Sequence, residues 1–120
     1  IVHHSDYPWT GSWESDDPLL NQLWKNIGWG WRGNTVDVPT DCPQRDERLG
    51  WTGDAQVFVE TSMYLTDSAA FWRKYVRDLI DAQLPDGGIP SVAPQADVVG
   101  TDGGPAWADV MVVVPWTVWT

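Results

Sequence analysis

The sequence contains little of what three common classes of protein require. Its single cysteine, Cys42, has no partner within the chain, which excludes a framework of internal disulfides. Only 7 lysines and arginines stand against 17 aspartates and glutamates, and the formal charge of −10 argues against a nucleic-acid partner, because phosphate binding depends on clustered basic residues. No apolar run approaches the roughly 20 residues of a membrane span, so we expect no membrane partner. The composition does not indicate a compartment.

The chain also lacks an initiator methionine and a signal-like start, and its final stretch, 112–120, is apolar. We therefore expect it to be a section of a longer polypeptide. Residues 1–13 alternate polar and aromatic side chains without a helical period, which predicts an extended lead-in from an upstream domain. Residues 14–120 would then form the first part of the domain that follows.

Tryptophan is the residue in excess, with 10 copies among 120 residues. Large indole faces serve either to fill a core or to line a cleft that stacks on a ligand. Core packing accounts for about half of them on our interpretation, because a chain this short buries only about two-thirds of its unfolded surface. We expect the others to lie at a surface, a cleft or an interface.

Three helices are predicted in the first 88 residues. The first begins at Pro18 with an N-cap among residues 15–17 and ends at 33–34, because apolar residues recur at three- and four-residue spacing. The second runs from Asp54 to Leu65, and Asp67 caps a third that ends in the turn at 86–88. Long loops at 34–53 and 89–105 separate these elements, which predicts an all-α hairpin architecture whose long loops gather at one end and build a site. The apolar run 110–114 fits a strand by propensity or a buried helix.

The loop at 37–54 concentrates five carboxylates, two arginines and one tryptophan in eighteen residues. A calcium loop is disfavoured because ligands at every second residue around a central glycine are missing, and no metal is expected. A solvated, salt-bridged loop explains the charge but not the prolines and glycines that shape the stretch. Glycoside hydrolysis needs a carboxylic acid, a carboxylate base, acceptors for sugar hydroxyls and an aromatic face. A lectin site would use the same groups for binding alone, and composition does not say which carboxylate is the acid.

The same loop carries a resemblance to a known family. Its sequence is Asp37-Val-Pro-Thr-Asp-Cys-Pro-Gln-Arg-Asp-Glu-Arg-Leu-Gly-Trp-Thr-Gly-Asp, which resembles the signature loop of the α-L-rhamnosidases among the glycoside hydrolases. The flanking stretches at 10–12, 17–24, 85–90, 92–94 and 106–110 agree with it, so the resemblance covers the chain from about residue 9 onward.

The resemblance implies the opening helical hairpins of an (α/α)6 barrel and an inverting mechanism without a cofactor. It also implies a helix after Trp107, with Pro115 within or near it. Glu47 matches the family's general acid, whereas the general base lies further along the barrel and has no counterpart in this chain. The positions that match contacts to the rhamnose ring are Asp41, Arg45, Trp51, Asp54 and Trp107. The implied partners are a rhamnosylated carbohydrate or glycoside substrate and the remainder of the chain's own barrel.

Three alternatives accompany this interpretation. The chain could belong to a non-catalytic sugar-binding relative, or be an inactive structural fragment that lacks the general base. A third alternative is a related glycosidase that acts on another sugar, because one fold supports several specificities.

Overall fold

A computed structural model describes residues 3–97, 99–100 and 103–120. Five helices lie in these ranges, which confirms the all-α prediction. β-type pairing within the described residues is limited to isolated bridges. None of the described helices is both long and apolar enough to cross a membrane. The helices are α1 (Pro18–Asn34), α2 (Thr52–Leu65), α3 (Ala69–Asp81), α4 (Gly104–Ala108) and α5 (Val110–Trp119).

Helix α1 begins where the sequence predicted. The Asp17 carboxylate accepts a hydrogen bond from the backbone N–H of Leu19 at 2.8 Å, and Pro18 occupies the first turn, where its missing N–H costs nothing. The helix ends at Asn34, whose side-chain amide donates to the carbonyl of Gly30 at 2.7 Å. Both ends of α1 were therefore predictable from local residue types.

Helix α3 begins one residue later than predicted, because Ser68 and not Asp67 is its N-cap. The backbone N–H of Asp67 instead donates to the carbonyl of Pro8 at 2.9 Å. Nearby, the amides of Thr10 and Gly11 donate to the carbonyl of Leu65. The segment before α1 thus lies against the α2–α3 turn, next to the start of α3.

Helix α5 shows that the strand suggested by propensity at 110–114 is wrong and that the helix implied by the resemblance is correct. Pro115 lies inside this helix. The side chains of α5 itself are apolar on nearly every face, so the periodicity of its sequence could not distinguish a helix from a strand. Val110 and Val114 are buried where α5 packs against α2 and α3, whereas Trp116 and Trp119 are exposed. The short helix α4 had no sequence prediction.

Trp31 on α1 occupies the centre of the core with 1% of its surface exposed. Its ring stacks on Tyr7, Phe58 and Trp72, with centroids 5.3–5.9 Å apart. Among the tryptophans only Trp31 and Trp72 are fully buried, so the expectation that about half fill the core was too high. The remaining core positions are occupied by smaller side chains, among them Tyr75, Leu79 and Val114.

Candidate active site

The loop between α1 and α2 is attached by its backbone to the segment that follows α3. The amide of Thr52 donates to the carbonyl of Ser91, and the amide of Ala93 donates to the carbonyl of Gly50, both at 2.9 Å. These bonds flank an antiparallel bridge between Trp51 and Val92. The two long loops therefore meet at one end of the helices, as the hairpin architecture predicted.

Gly50 is required for this attachment. A Cβ at Gly50 would overlap the carbonyl oxygen of Ala93. The carbonyl of Gly50 also accepts a hydrogen bond from the buried Tyr75 hydroxyl at 3.2 Å. The close approach of the two backbones is thus possible only because residue 50 has no side chain.

Arg45 joins two of the predicted carboxylates. Its Nη2 lies 2.7 Å from Asp41 Oδ2 and 3.3 Å from Glu47 Oε2. The Asp41 side chain is 9% exposed, that of Glu47 is 35% exposed and that of Arg45 is 55% exposed. The positive charge reduces the repulsion that would otherwise separate the two acids.

The second oxygen of Glu47 has different partners. Its Oε1 accepts the backbone N–H of Leu49 at 2.8 Å and the indole N–H of Trp51 at 3.0 Å. Trp51 is the N-cap residue of α2 with extended backbone angles, so its ring turns back over the loop. Glu47 is therefore held from both sides, by donors on Oε1 and by Arg45 on Oε2.

A cavity of about 540 Å³ opens beside this cluster. Its polar wall includes Asp41, Asp54 and Thr40, and its apolar wall includes Trp31 and Trp107. Glu47, Arg45 and Trp51 are not among the described residues that line it. The predicted site residues thus form two adjoining groups, and Asp41 belongs to both.

Trp107 reaches the cavity from α4, because Gly53 leaves room for it. A Cβ on Gly53 would lie 2.9 Å from the indole Nε1. The side-chain amide of Gln56 also donates to the carbonyl of Ala106, which attaches α4 to α2. Trp107 is 39% exposed, in contrast to the buried indoles of the core.

The electrostatic setting of Asp54 differs from that of its neighbours. The pKa of Asp54 is raised, chiefly by desolvation and next by the negative charge of Asp41, with a smaller contribution from Glu47. The residue as a whole is exposed, so the desolvation of its carboxyl group is incomplete. Carboxyl groups with displaced pKa values next to a cavity are typical of binding and catalytic sites.

Sequence reasoning missed three contributors to the site. The amide of Leu49 is a backbone group with no sequence signal, and Thr40 on the cavity wall has an ordinary polar side chain. Gly53 was predicted to lie in the loop, because the second helix was expected to begin at Asp54, whereas it begins at Thr52. The close approach of Trp107 at this glycine was therefore not foreseen. Within the described ranges, no three His, Cys, Asp or Glu side chains are arranged to hold a metal ion.

Comparison with known proteins gives the relationships of the chain. Residues 8–120 match the family described as the bacterial alpha-L-rhamnosidase 6 hairpin glycosidase domain. Alpha-L-rhamnosidases of Formosa agariphila and Streptomyces avermitilis are 46% and 48% identical over 119 and 118 residues, 99% and 98% of this chain. The chain spans only 13% and 11% of the length of these two relatives.

Two solved structures agree with the sequence relationships. The Streptomyces avermitilis alpha-L-rhamnosidase complexed with L-rhamnose has a TM-score of 0.91 and 49% identity, covering 95% of this chain and 11% of that one. The alpha-L-rhamnosidase from Dictyoglumus thermophilum also has a TM-score of 0.91, with 37% identity, covering 97% of this chain and 13% of that one. These matches confirm the predicted barrel class, and the chain belongs to the six-hairpin glycosidase domain family of the bacterial α-L-rhamnosidases.

Proposed function

We propose that this chain is the opening part of the catalytic barrel of an α-L-rhamnosidase. The complete enzyme would hydrolyse the bond between a terminal α-L-rhamnosyl unit and the rest of a glycoside, with inversion at the anomeric carbon. Family membership and high identity to the α-L-rhamnosidases support this substrate class. The exposed apolar side chains of α5 would be covered by the remainder of the barrel.

The proposed reaction uses one carboxyl group of this chain. Glu47 in its acid form gives its proton to the glycosidic oxygen as the bond from that oxygen to the anomeric carbon breaks. A water molecule attacks the anomeric carbon from the opposite face, and a carboxylate outside this chain takes the proton from that water. The products are rhamnose and the free alcohol, and Glu47 is left ionised until it regains a proton from solvent.

The other predicted residues would bind the sugar. Asp41 and Asp54 offer carboxylate oxygens to sugar hydroxyls at the cavity wall, and Arg45 offers N–H groups beside them. Trp107 supplies an apolar face on the same wall, suited to the C–H face of a pyranose. Trp51 would border the ring next to Glu47.

One observation carries the proposal, namely the link from Glu47 through Arg45 to Asp41. Asp41 lines the cavity that would hold the sugar, and Arg45 contacts both Asp41 and Glu47. The ion pairs of Arg45 therefore keep the Glu47 carboxyl group close to that cavity. A cavity of about 540 Å³ lies within the usual range for small-ligand sites. An acid linked in this way to a residue of the cavity wall is suitably placed to protonate a leaving group that projects from the cavity.

The test is Glu47→Gln in the complete enzyme, assayed on two substrates. Glutamine keeps an oxygen for the donors of Leu49 and Trp51 but cannot donate a proton as an acid. Turnover of a rhamnoside with a poorly acidic alcohol as leaving group should fall about a hundredfold or more. An aryl rhamnoside whose phenol is strongly acidic needs little protonation, so its loss should be much smaller.

Glu60→Gln provides the matched control, because Glu60 is an exposed glutamate on α2 outside the cavity. It should change neither rate. Equal losses on both substrates would remove Glu47 from the acid role and transfer the assignment to Asp41 or Asp54. Rhamnose binding without turnover by the unmodified enzyme would identify a sugar-binding relative.

A further inference from the structure

Glu47 Oε1 has two hydrogen-bond partners that can only donate. They are the backbone amide of Leu49 at 2.8 Å and the indole nitrogen of Trp51 at 3.0 Å. A proton on Oε1 would point at one of these N–H groups, and the carboxyl group would lose a hydrogen bond. The other oxygen, Oε2, faces one donor at a longer distance, Arg45 Nη2 at 3.3 Å, so a carboxyl proton costs less there.

The surroundings of Oε2 are looser. Its partner is Arg45 Nη2 at 3.3 Å, and the same nitrogen lies much closer to Asp41, at 2.7 Å. Arg45 can keep its bond to Asp41 whether or not Glu47 is ionised. Oε2 can therefore gain and lose a proton without breaking the strongest contact of its neighbour.

Trp51 is fixed independently of Glu47. The backbone N–H of Trp51 donates to the carbonyl of Leu49 at 3.0 Å, and Trp51 forms the antiparallel bridge to Val92. The next residue, Thr52, is buried and donates through its amide to Ser91. The backbone that carries the indole is thus held without Glu47, and the indole N–H in turn orients the carboxyl group.

We propose that Trp51 is a positioning residue for the general acid, whose indole N–H, together with the Leu49 amide, reserves Oε1 as an acceptor and leaves Oε2 to deliver the proton. This role rests on the proposed assignment of Glu47 as the acid, and it is additional to any contact between the Trp51 ring and the sugar. Both roles can be held by one side chain, because the N–H edge and the ring face of an indole point in different directions.

Among the described residues, replacement of Trp51 removes no charged group near Glu47. Arg45 contacts Oε2, Asp41 shares that arginine, and Asp54 on α2 interacts with the charge of Glu47. Arg48 in the same loop donates to the carbonyl of Arg45. The packed segments 89–94 and 104–108 contain no titratable side chain. A change in the pH profile after replacement of Trp51 therefore reports the lost N–H donor.

The experiment is Trp51→Phe in the complete enzyme, with kcat and KM measured against pH. Phenylalanine keeps an aromatic face but has no N–H. Loss of a donor disfavours the ionised carboxylate, so the acid keeps its proton to higher pH. The alkaline limb of the kcat profile should move to higher pH. At the optimum, kcat should fall several-fold for a poor leaving group and less for an acidic one, with KM changed by less than about threefold.

Trp29→Phe is the matched control, because Trp29 is exposed on α1 and its replacement should leave the profile unchanged. If Trp51→Phe fails to fold, site-specific replacement of Trp51 by benzothienylalanine keeps the ring shape and removes only the N–H. An unmoved alkaline limb in the folded variant, or a change confined to KM, would overturn the positioning role. If Glu47→Gln retains its selective loss in that case, the proposed function stands and only this inference is lost.

Discussion

Tryptophan serves two regions of this molecule in different ways. In the core, the N–H of Trp31 donates to the Thr66 hydroxyl at 3.1 Å and that of Trp72 donates to the Ser62 hydroxyl at 2.7 Å. In the loop before α2, the N–H of Trp51 donates to a carboxylate. The hydroxyls of Ser62 and Thr66 in turn donate to backbone carbonyls. The hydrogen bonds of the core indoles therefore join neutral groups only.

The difference shows what each indole can influence. A buried N–H must be paired, because an unpaired one costs free energy, but a bond between neutral groups changes little else. A bond to an ionisable group also biases its proton. The core tryptophans therefore affect the stability of the fold, whereas the loop tryptophan also influences the carboxyl group that it contacts.

The largest effect expected from this comparison is on stability, with Trp31→Ala in the complete enzyme. Trp31 contacts four aromatic rings and is almost fully buried, so its truncation should cost about 3–5 kcal/mol of unfolding free energy. Thermal unfolding would measure the loss as a lowered Tm. Trp31→Phe, which retains most of the packing, is the control and should cost less. An unchanged Tm for the alanine variant would mean that the packing of Trp31 against its neighbouring rings does not stabilise the fold.

A smaller effect, on binding, is expected for Trp107→Ala. The indole is 39% exposed at the cavity wall, so its loss should weaken substrate binding by about 1–3 kcal/mol. The Tm should change little compared with that of the core variant. Inhibition by free rhamnose and thermal unfolding would measure the two quantities. If the Tm falls as far as in Trp31→Ala, Trp107 belongs with the core and the comparison fails.

The smallest effect is the pH dependence of stability at Asp54. Its raised pKa means that the folded state holds the proton more tightly than the unfolded state, so ionisation destabilises the fold. This penalty is absent below the ordinary value of 3.8 and complete above the raised value. Asp54→Asn should therefore raise stability near neutral pH by about 0.2–0.5 kcal/mol, a small gain because solvent screens an exposed carboxylate.

The comparison variant for this measurement is Asp16→Asn, at an exposed position before α1. Unfolding of both variants would be followed near pH 7 and below pH 3.8. The gain of Asp54→Asn should disappear at the lower pH, while its sugar binding should be weaker at neutral pH. A gain of equal size at both pH values would contradict the electrostatic explanation.

Local chemistry made parts of the fold predictable. The Asp17 cap, the Pro18 start and the periodic apolar face defined α1 before any long-range contact was known. Helix α3 starts one residue later than predicted, because Asp67 and Ser68 are both favourable N-cap residues and local sequence does not choose between them. The helix at Val110–Trp119 could not be predicted from periodicity, because a run of apolar residues fits a buried helix and a strand equally well.

The candidate site was predictable in its residues but not in its arrangement. The density of carboxylates at 37–54 identified the loop, and the resemblance supplied Glu47 and its neighbours. The sequence did not reveal that Arg45 joins Asp41 to Glu47, nor that Asp41, Asp54 and Trp107 share a cavity wall from which Glu47 is set apart. These relations depend on how the loop bends back over itself, which is decided by the backbone bonds to 91 and 93.

Those backbone bonds also bear on how the site can be redesigned. Two of the bonds that attach the loop to the segment after α3 run between main-chain amides and carbonyls and do not depend on side chains. The buried Thr52 adds a side-chain bond, because its hydroxyl donates to the carbonyl of Ser91 at 3.0 Å. At Gly50 a Cβ would collide with the carbonyl of Ala93. A variant library can therefore rely on this attachment as long as Gly50 and Thr52 are kept. The library should vary cavity-wall positions such as Thr40 and Trp107 and leave residues 50 and 52 untouched.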